Sequence, residues 1–383
     1  MNSTQSATNV TEPDYDYCTP QPFVILERVF LGVFCGITVS ILSIVFNSFM
    51  FLVFASNKQH RKSPNLYMLL LSIFDIFIAI AYIAVMSTRI IVLWTYNYTL
   101  QGIWSTYMIP MLAVSHVGIT SSTFLICIAT VERYCITVNN FLVPHLQKYR
   151  PTLAFIAVMC GLISKGSWVK ELRIRVDDEC VNKLNHWRVE IEPWIFEYPT
   201  FNSYFRFYFR NIFTILAPFF ILLFVNYLLL TKLQQQNRNR TNEENEKQTV
   251  KQKKARIRAA TRTLVIIVCT YLFSNSLSVV VTIWEYIDGQ SLFSNEWAAF
   301  YTISVDIISL LTIVASAMRL PIYAICQPLL RIEMKVLIAK ICGFGQSSEK
   351  KRSLLNSLQL PSTQLITNLD GDSPSISSKV EFV

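Results

Sequence analysis

Charged side chains interrupt the apolar stretches of this chain at only a few places, and these side chains could do chemistry. Glu132 and Arg133 stand together in FLICIATVERYCITV, directly after a segment, 103–131, that has no Asp, Glu, Lys or Arg. An adjacent acid and base can neutralise each other in one state, and can offer the arginine to a partner protein in another. Asp75 and Arg319 lie alone in apolar surroundings, where an ionised group needs a partner because burying it unpaired is costly.

The elements that position these residues are apolar enough to be membrane spans. The chain is 52% hydrophobic and only 15% charged, unlike a soluble domain of 383 residues. A helix needs about 20 apolar residues to cross the hydrocarbon layer, and six charge-poor runs reach that length. The fourth run is shorter, and must continue through KGSW, with Lys165 near the headgroups or inside the bundle. The runs are 29–55, 66–88, 103–131, 152–164, 211–231, 264–284 and 297–330.

Basic residues in the connections set the orientation. The segment 232–262 holds ten Lys or Arg against three Glu, and the first connection also carries three bases. Such loops face the cytoplasm, which places the amino terminus outside. Acceptors for N-linked glycans at Asn2, Asn9 and Asn97 then fall on the outer side.

These observations predict an all-α membrane protein, a seven-transmembrane helix bundle with its amino terminus outside. The predicted domains are an extracellular glycosylated segment (1–24), a seven-helix domain (25–342) with the basic inner loop 232–262, and a disordered cytoplasmic tail (343–383). After Tyr323, apolar residues recur at helical spacing with bases between them, which predicts a short amphipathic helix on the membrane lipids.

The polar motifs resemble those of rhodopsin-like (class A) G-protein-coupled receptors. TVERYCITV is similar to the family's Glu/Asp-Arg-Tyr signature, with Glu132, Arg133 and Tyr134 in the third of seven spans. The resemblance implies a multi-pass plasma-membrane receptor that activates a heterotrimeric G protein through Arg133. It extends over residues 25–340, and further matching positions are Asn47, Asp75, Pro218 and Tyr323.

The seventh span departs from the family pattern at Arg319-Leu320, where the family has Asn-Pro. The family's buried aspartate commonly helps to hold a sodium ion. We therefore expect Asp75 to pair with Arg319 in place of the ion; alternatively, Arg319 turns toward the cytoplasm and Asp75 stays hydrated. The sixth span also lacks its usual proline, and the hydroxyl residues of YLFSNSLSVVV could bend that helix slightly by bonding to their own backbone.

Of the nine cysteines, the topology leaves only Cys18 and Cys180 outside the membrane. Family members usually tie the second outer loop to the top of the third helix, but that place is near Met108 here and has no cysteine. Because the outside is oxidising, we expect a Cys18–Cys180 disulfide; a free thiol or an intermolecular bond is the alternative.

These departures, with Asn226 after the fifth-helix proline and Asn275 in the sixth helix, look like invertebrate FMRFamide-type neuropeptide receptors. The resemblance implies a short amidated peptide ending in Arg-Phe as agonist. Acids on the outer side could attract such a peptide and aromatic residues could hold its Phe. Each acid alone is more often a solvated loop charge, but the set favours a peptide ligand. The candidate ligand-binding residues are Asp177, Asp178, Glu190, Glu192, Glu285 and Asp306.

On the inner side, the Ser/Thr-rich tail offers phosphorylation sites for an arrestin-type adaptor. Cys326 or Cys342 could be palmitoylated. The ending VEFV could bind a PDZ-type groove, although such endings also arise by chance.

Other function classes fit the sequence less well. It has no catalytic motif, no metal-binding cluster and no signature of a cofactor or of nucleic-acid binding. A transporter or channel predicts internal repeats and broken helices in matching halves, which are not found. A chemosensory receptor for a small molecule remains an alternative on the same fold.

Overall fold

The computed structural model describes residues 18–20, 24–56, 65–238, 248–292 and 297–341. The predicted glycan acceptors Asn2 and Asn9, the predicted lipidation site Cys342 and the tail 343–383 lie outside these residues.

Within these described residues, seven helices are long and apolar enough to cross a membrane, which confirms the predicted spans. The doubtful fourth span continues past Lys165 to Glu171, as its sequence required. Lys165 is buried inside the protein and lies over the ring of Trp168. The spans, numbered one to seven below, are Ile25–Ser56, Asn65–Thr95, Tyr98–Val138, Arg150–Glu171, Ile212–Gln235, Ile257–Asp288 and Ala298–Cys326.

Several spans belong to longer or irregular helices. The helix of span five continues to Arg238 and that of span six begins at Gln248, so the described ends of the predicted inner loop are helical. Spans one and two contain π-helical turns at Val29–Cys35 and Ile83–Ser87. The chain leading into span five is π-helical at Phe201–Phe209, and the span itself begins with a π-helical turn at Ile212–Leu216.

The second outer loop forms a β-hairpin, which the sequence analysis did not predict. Strand β1 (Leu172–Val176) pairs antiparallel with β2 (Trp187–Ile191), so that Arg173 lies opposite Glu190. Short helical turns at Asp178–Cys180 and Leu184–His186 join the strands.

The remaining short helices are Val143–Lys148, before span four, and Trp194–Glu197, after the hairpin. The helix of span seven ends at Cys326, and Gln327 is extended. A separate unit begins at Pro328; its described part is the helix Pro328–Ile341, in the place where a short amphipathic helix was predicted.

Close approach of helices one and two depends on a glycine. A Cβ atom on Gly36 would lie 2.5 Å from the ring of Tyr82, so no larger residue fits there unless that ring moves. Tyr82 in turn packs with Ile78 and with Ile313 of span seven in the core. This packing brings together spans one, two and seven, which carry the buried polar residues Asn47, Asp75 and Arg319.

Candidate functional site

Glu132 is almost completely buried, at 1% exposure, and binds residues from two other helices. Arg150, at the start of span four, donates from Nε to a Glu132 carboxylate oxygen at 2.8 Å. The hydroxyl of Tyr67 in span two donates to the other oxygen at 3.1 Å. The hydrogen bonds of Glu132 therefore join spans two, three and four.

Glu132 forms its ion pair with Arg150 rather than with the adjacent Arg133. Adjacent helix residues point in different directions and do not face each other. In the described part of the chain, the Arg133 side chain makes no hydrogen bond, but it lies within electrostatic range of Glu132 and of Tyr323 in span seven. Tyr134 is partly buried beside them. The structure thus brings Arg133 and Tyr323 together, but gives Glu132 a partner that the sequence analysis missed.

Asp75 and Arg319 form an ion pair between spans two and seven, and Asp75 is fully buried. Ser316 donates to the same carboxylate at 3.0 Å. Asn47 of span one donates to the backbone oxygen of Ser316 at 3.4 Å and to that of Ser43 at 2.9 Å. The pair expected from the sequence is present, within a polar network that connects three spans.

Asn226 connects spans five and six, because its amide nitrogen donates to the sulfur of Cys269 at 3.3 Å. Further along span six, Ser274 and Asn275 both bond to the backbone oxygen of Tyr271, at 2.9 Å each. The expected backbone bonding by small polar residues is therefore present in the helix that lacks the family's proline.

A disulfide joins Cys18 to Cys180, which confirms the predicted pairing. The backbone oxygen of Cys18 also accepts from Asn185 at 3.1 Å. Trp187 of β2 lies against the start of span three, where its ring is 4.5 Å from that of Tyr98 and its backbone oxygen accepts from Gln101 at 3.4 Å. These contacts place the hairpin beside span three without the family's usual disulfide.

Most of the candidate acids on the outer face already have basic partners. Asp306 pairs with Arg28 at 2.7 Å. Arg173 and Arg175 pair with Glu190 at 3.4 and 3.6 Å, and Arg173 also reaches Glu192 at 4.0 Å.

Two further acids complete the set of loop candidates. Asp177 lies 3.8 Å from Arg188 and accepts a hydrogen bond from the backbone nitrogen of Glu179. Asp178 is exposed. Counting the acids of this loop therefore overstated the free negative charge, because the hairpin places bases opposite them.

Glu285, near the outer end of span six, differs from the paired acids. It is partly buried, and in the described ranges it makes neither an ion pair nor a hydrogen bond. The neighbouring Trp284 packs edge-on to Trp297 at 5.0 Å and near Phe300 at 5.9 Å.

The sequence analysis did not predict a second cluster of charged residues on the outer side. Glu171 at the end of span four is 2% exposed and accepts from Arg206, Arg210 and Ser167. Arg206 and Arg210 are four residues apart, a spacing that puts them on one helix face and could have suggested a shared partner.

Asn97, the predicted glycan acceptor within the described residues, is exposed and caps the helix of span three. Its side-chain oxygen accepts from the backbone nitrogen of Leu100 at 2.9 Å. In the part of the chain that the structure describes, no group of three or more His, Cys, Asp or Glu side chains is placed to hold a metal ion.

Comparison with known proteins agrees with this arrangement. The family model described as 7 transmembrane receptor (rhodopsin family) matches residues 46–319, more than two thirds of the chain. No curated protein matches the sequence. The match includes Asn47, the Glu132-Arg133-Tyr134 motif and both members of the Asp75–Arg319 pair. The chain belongs to the rhodopsin family of seven-transmembrane receptors, and it is a multi-pass plasma-membrane signalling receptor that couples to G proteins rather than an enzyme.

Proposed function

We propose that this receptor responds to an extracellular neuropeptide, a short amidated FMRFamide-like peptide that ends in Arg-Phe. The observation that carries the proposal is Glu285, the partly buried acid without an ion-pair partner in the described part of the chain. A guanidinium from the ligand would supply the missing positive charge, and a charge-assisted hydrogen bond is among the stronger polar contacts available.

An aromatic cluster at the outer ends of spans six and seven supports the second half of the Arg-Phe motif. Trp284, Trp297 and Phe300 lie within 6 Å of one another, measured between ring centroids. Such a cluster suits a phenylalanine side chain, because offset and edge-on ring contacts add to the burial of apolar area.

The acids that already have basic partners are less suited to bind the ligand's arginine. Each would have to give up an arginine of the receptor for that of the ligand, with little gain in binding free energy. These acids are Asp177, Glu190, Glu192 and Asp306. Exposed Asp178 can attract a cationic peptide from a distance.

Inside the cell, we propose that Arg133 makes the principal contact with the G protein, and that Tyr323, Tyr134 and Asn226 take part in the change of helix positions. The tail 343–383 would bind an arrestin-type adaptor once it is phosphorylated. The sequence Asn97-Tyr98-Thr99 would carry a glycan, since the Asn97 amide nitrogen is not needed for the helix cap.

G-protein activation in cells that express this chain tests the proposal, with a library of amidated peptides that includes Arg-Phe-amide sequences. We expect responses at nanomolar to micromolar concentrations that are absent in Arg133→Ala at equal surface expression. Glu285→Gln should lower the potency of Arg-Phe-amide peptides about 10- to 100-fold, the range for a lost hydrogen bond to a charged group. Glu197→Gln removes an exposed acid and serves as the matched control.

Two results would contradict the proposal. Silence of the whole library, despite good surface expression, would favour a small-molecule chemosensory ligand. Equal potency on Glu285→Gln and on the wild type would remove Glu285 from the binding site.

A further inference from the structure

Spans three and four meet the entry to span five around the indole of Trp168. Lys165 Nζ lies 5.9 Å from the centre of the Trp168 ring, and Arg210 Cζ lies 5.4 Å from it. The ring of His116 in span three is tilted against the same ring, with the two centroids 4.3 Å apart. Two cations therefore share one aromatic side chain at the outer end of the bundle.

Both carboxylate oxygens of Glu171 in this cluster already accept hydrogen bonds from the protein. Glu171 accepts from Arg210 Nη1 on both oxygens, at 2.8 and 3.0 Å. Ser167 donates to one of these oxygens at 2.6 Å, and Arg206 to the other at 3.1 Å. These residues comprise one carboxylate and three basic side chains, Lys165, Arg206 and Arg210, which leaves an excess of two positive charges.

Three donors in the cluster remain unused. The Nε atom of Arg210 and the Nε1 atom of Trp168 are buried without a hydrogen-bond partner. Within the described ranges, Lys165 makes neither a hydrogen bond nor an ion pair, although it is only 6% exposed. Arg210 is 4% exposed. Buried donors without acceptors are costly, and an unpaired buried ammonium is more costly still.

We propose that Lys165, Arg210 and Trp168 form a subsite for a carboxylate of the ligand. An acceptor with one negative charge and several lone pairs would pair with such donors and reduce the excess positive charge. This inference rests on the proposed peptide ligand and extends it. The agonist carries an acidic group in addition to the arginine assigned to Glu285: an acidic side chain of the amidated peptide or, in place of the amide, a free carboxyl terminus.

The first experiment measures the thermal unfolding midpoint of the purified full-length receptor with small probes at constant ionic strength. N-acetyl-glutamate α-amide presents a side-chain carboxylate, N-acetyl-phenylalanine presents a terminal one, and N-acetyl-phenylalanine amide is uncharged. We expect at least one carboxylate to raise the midpoint above that with the uncharged probe. The more effective carboxylate identifies the source of the acidic group.

Lys165→Gln is the informative variant, because removal of a side chain without hydrogen bonds leaves the Glu171 network in place. It should abolish the carboxylate effect. Lys170→Gln, which removes an exposed lysine from the same helix end, should keep it. Equal carboxylate effects in the wild type and in Lys165→Gln, or no effect in the wild type, would overturn the subsite.

The second experiment uses peptides in cells. Amidated Phe-Met-Arg-Phe peptides carry two added amino-terminal residues, with Asp or Asn at each added position in turn. At one position, Asp should give about 10- to 100-fold higher potency than Asn, and Lys165→Gln should remove that difference. Equal potency of Asp and Asn peptides at both positions, with no preference for free-acid peptides over their amides, would contradict the inference. If no peptide activates the receptor, the proposed function fails, while the unfolding measurement still decides the carboxylate subsite.

Discussion

Asp75 and Arg319 lie 244 positions apart in the sequence and form a buried ion pair that links span two to span seven. Ser316, one helical turn before Arg319, donates to the same carboxylate. An arginine thus occupies the interior of the bundle where other members of the family place an asparagine.

Separate substitution of either partner should destabilise the receptor. Asp75→Asn or Arg319→Gln leaves the other charge buried and unpaired, which costs about 3–5 kcal/mol. We expect reduced surface expression and a lower unfolding midpoint in each single variant. The exchange of charges, Asp75→Arg with Arg319→Asp, should recover part of both losses. If the exchanged receptor regains nothing, the two residues do not act as a pair.

Sodium should not regulate this receptor. The Arg319 guanidinium supplies the positive charge beside Asp75 that a sodium ion would otherwise supply. Agonist dose–response curves on membranes should therefore coincide in sodium chloride and in N-methylglucamine chloride of equal ionic strength. A shift of several-fold in the wild type would contradict this expectation.

Arg150→Gln should raise signalling without agonist. The substitution removes the ionic partner of buried Glu132 and so destabilises the arrangement in which Arg133 is partly buried beside Tyr323. A shift of about 1.4 kcal/mol changes the ratio of two states tenfold, so basal G-protein activation should increase several-fold. Lys148→Gln, at an exposed position two residues away, is the control. Basal activity that stays at the wild-type level would show that the ion pair does not hold the inactive state.

Loss of the outer disulfide should lower agonist potency. Cys18→Ser and Cys180→Ser each release the same bond, and the double variant should resemble either single one because the effects are not additive. Dose–response curves at matched surface expression measure the effect. Additive losses would indicate that each cysteine acts separately.

The sequence predicted the elements of this fold better than the contacts between them. Apolar runs fix the spans because each must cross the same hydrocarbon thickness. The Asp75–Arg319 pair was predictable because two charges stood alone in apolar helices. Arg150 was missed because it stands at a helix end, where a base needs no special partner.

The contacts on the outer face were missed for the same reason, because they depend on how separate segments fold against each other. Charge counts do not show that β1 and β2 place arginines opposite glutamates, nor that Arg28 reaches Asp306. The cluster at Glu171 also depends on residues from two separate segments, since its bases come from span four and from the chain entering span five.

The Cys18–Cys180 bond closes a covalent ring that encloses the first four spans. A proteolytic cut in any connection between these spans would therefore leave both fragments attached to each other until a reductant is added. During synthesis, the ring closes only after Cys180 has reached the outer side, when four helices have entered the membrane. Spans five to seven remain outside the ring, joined to it through a single stretch of backbone.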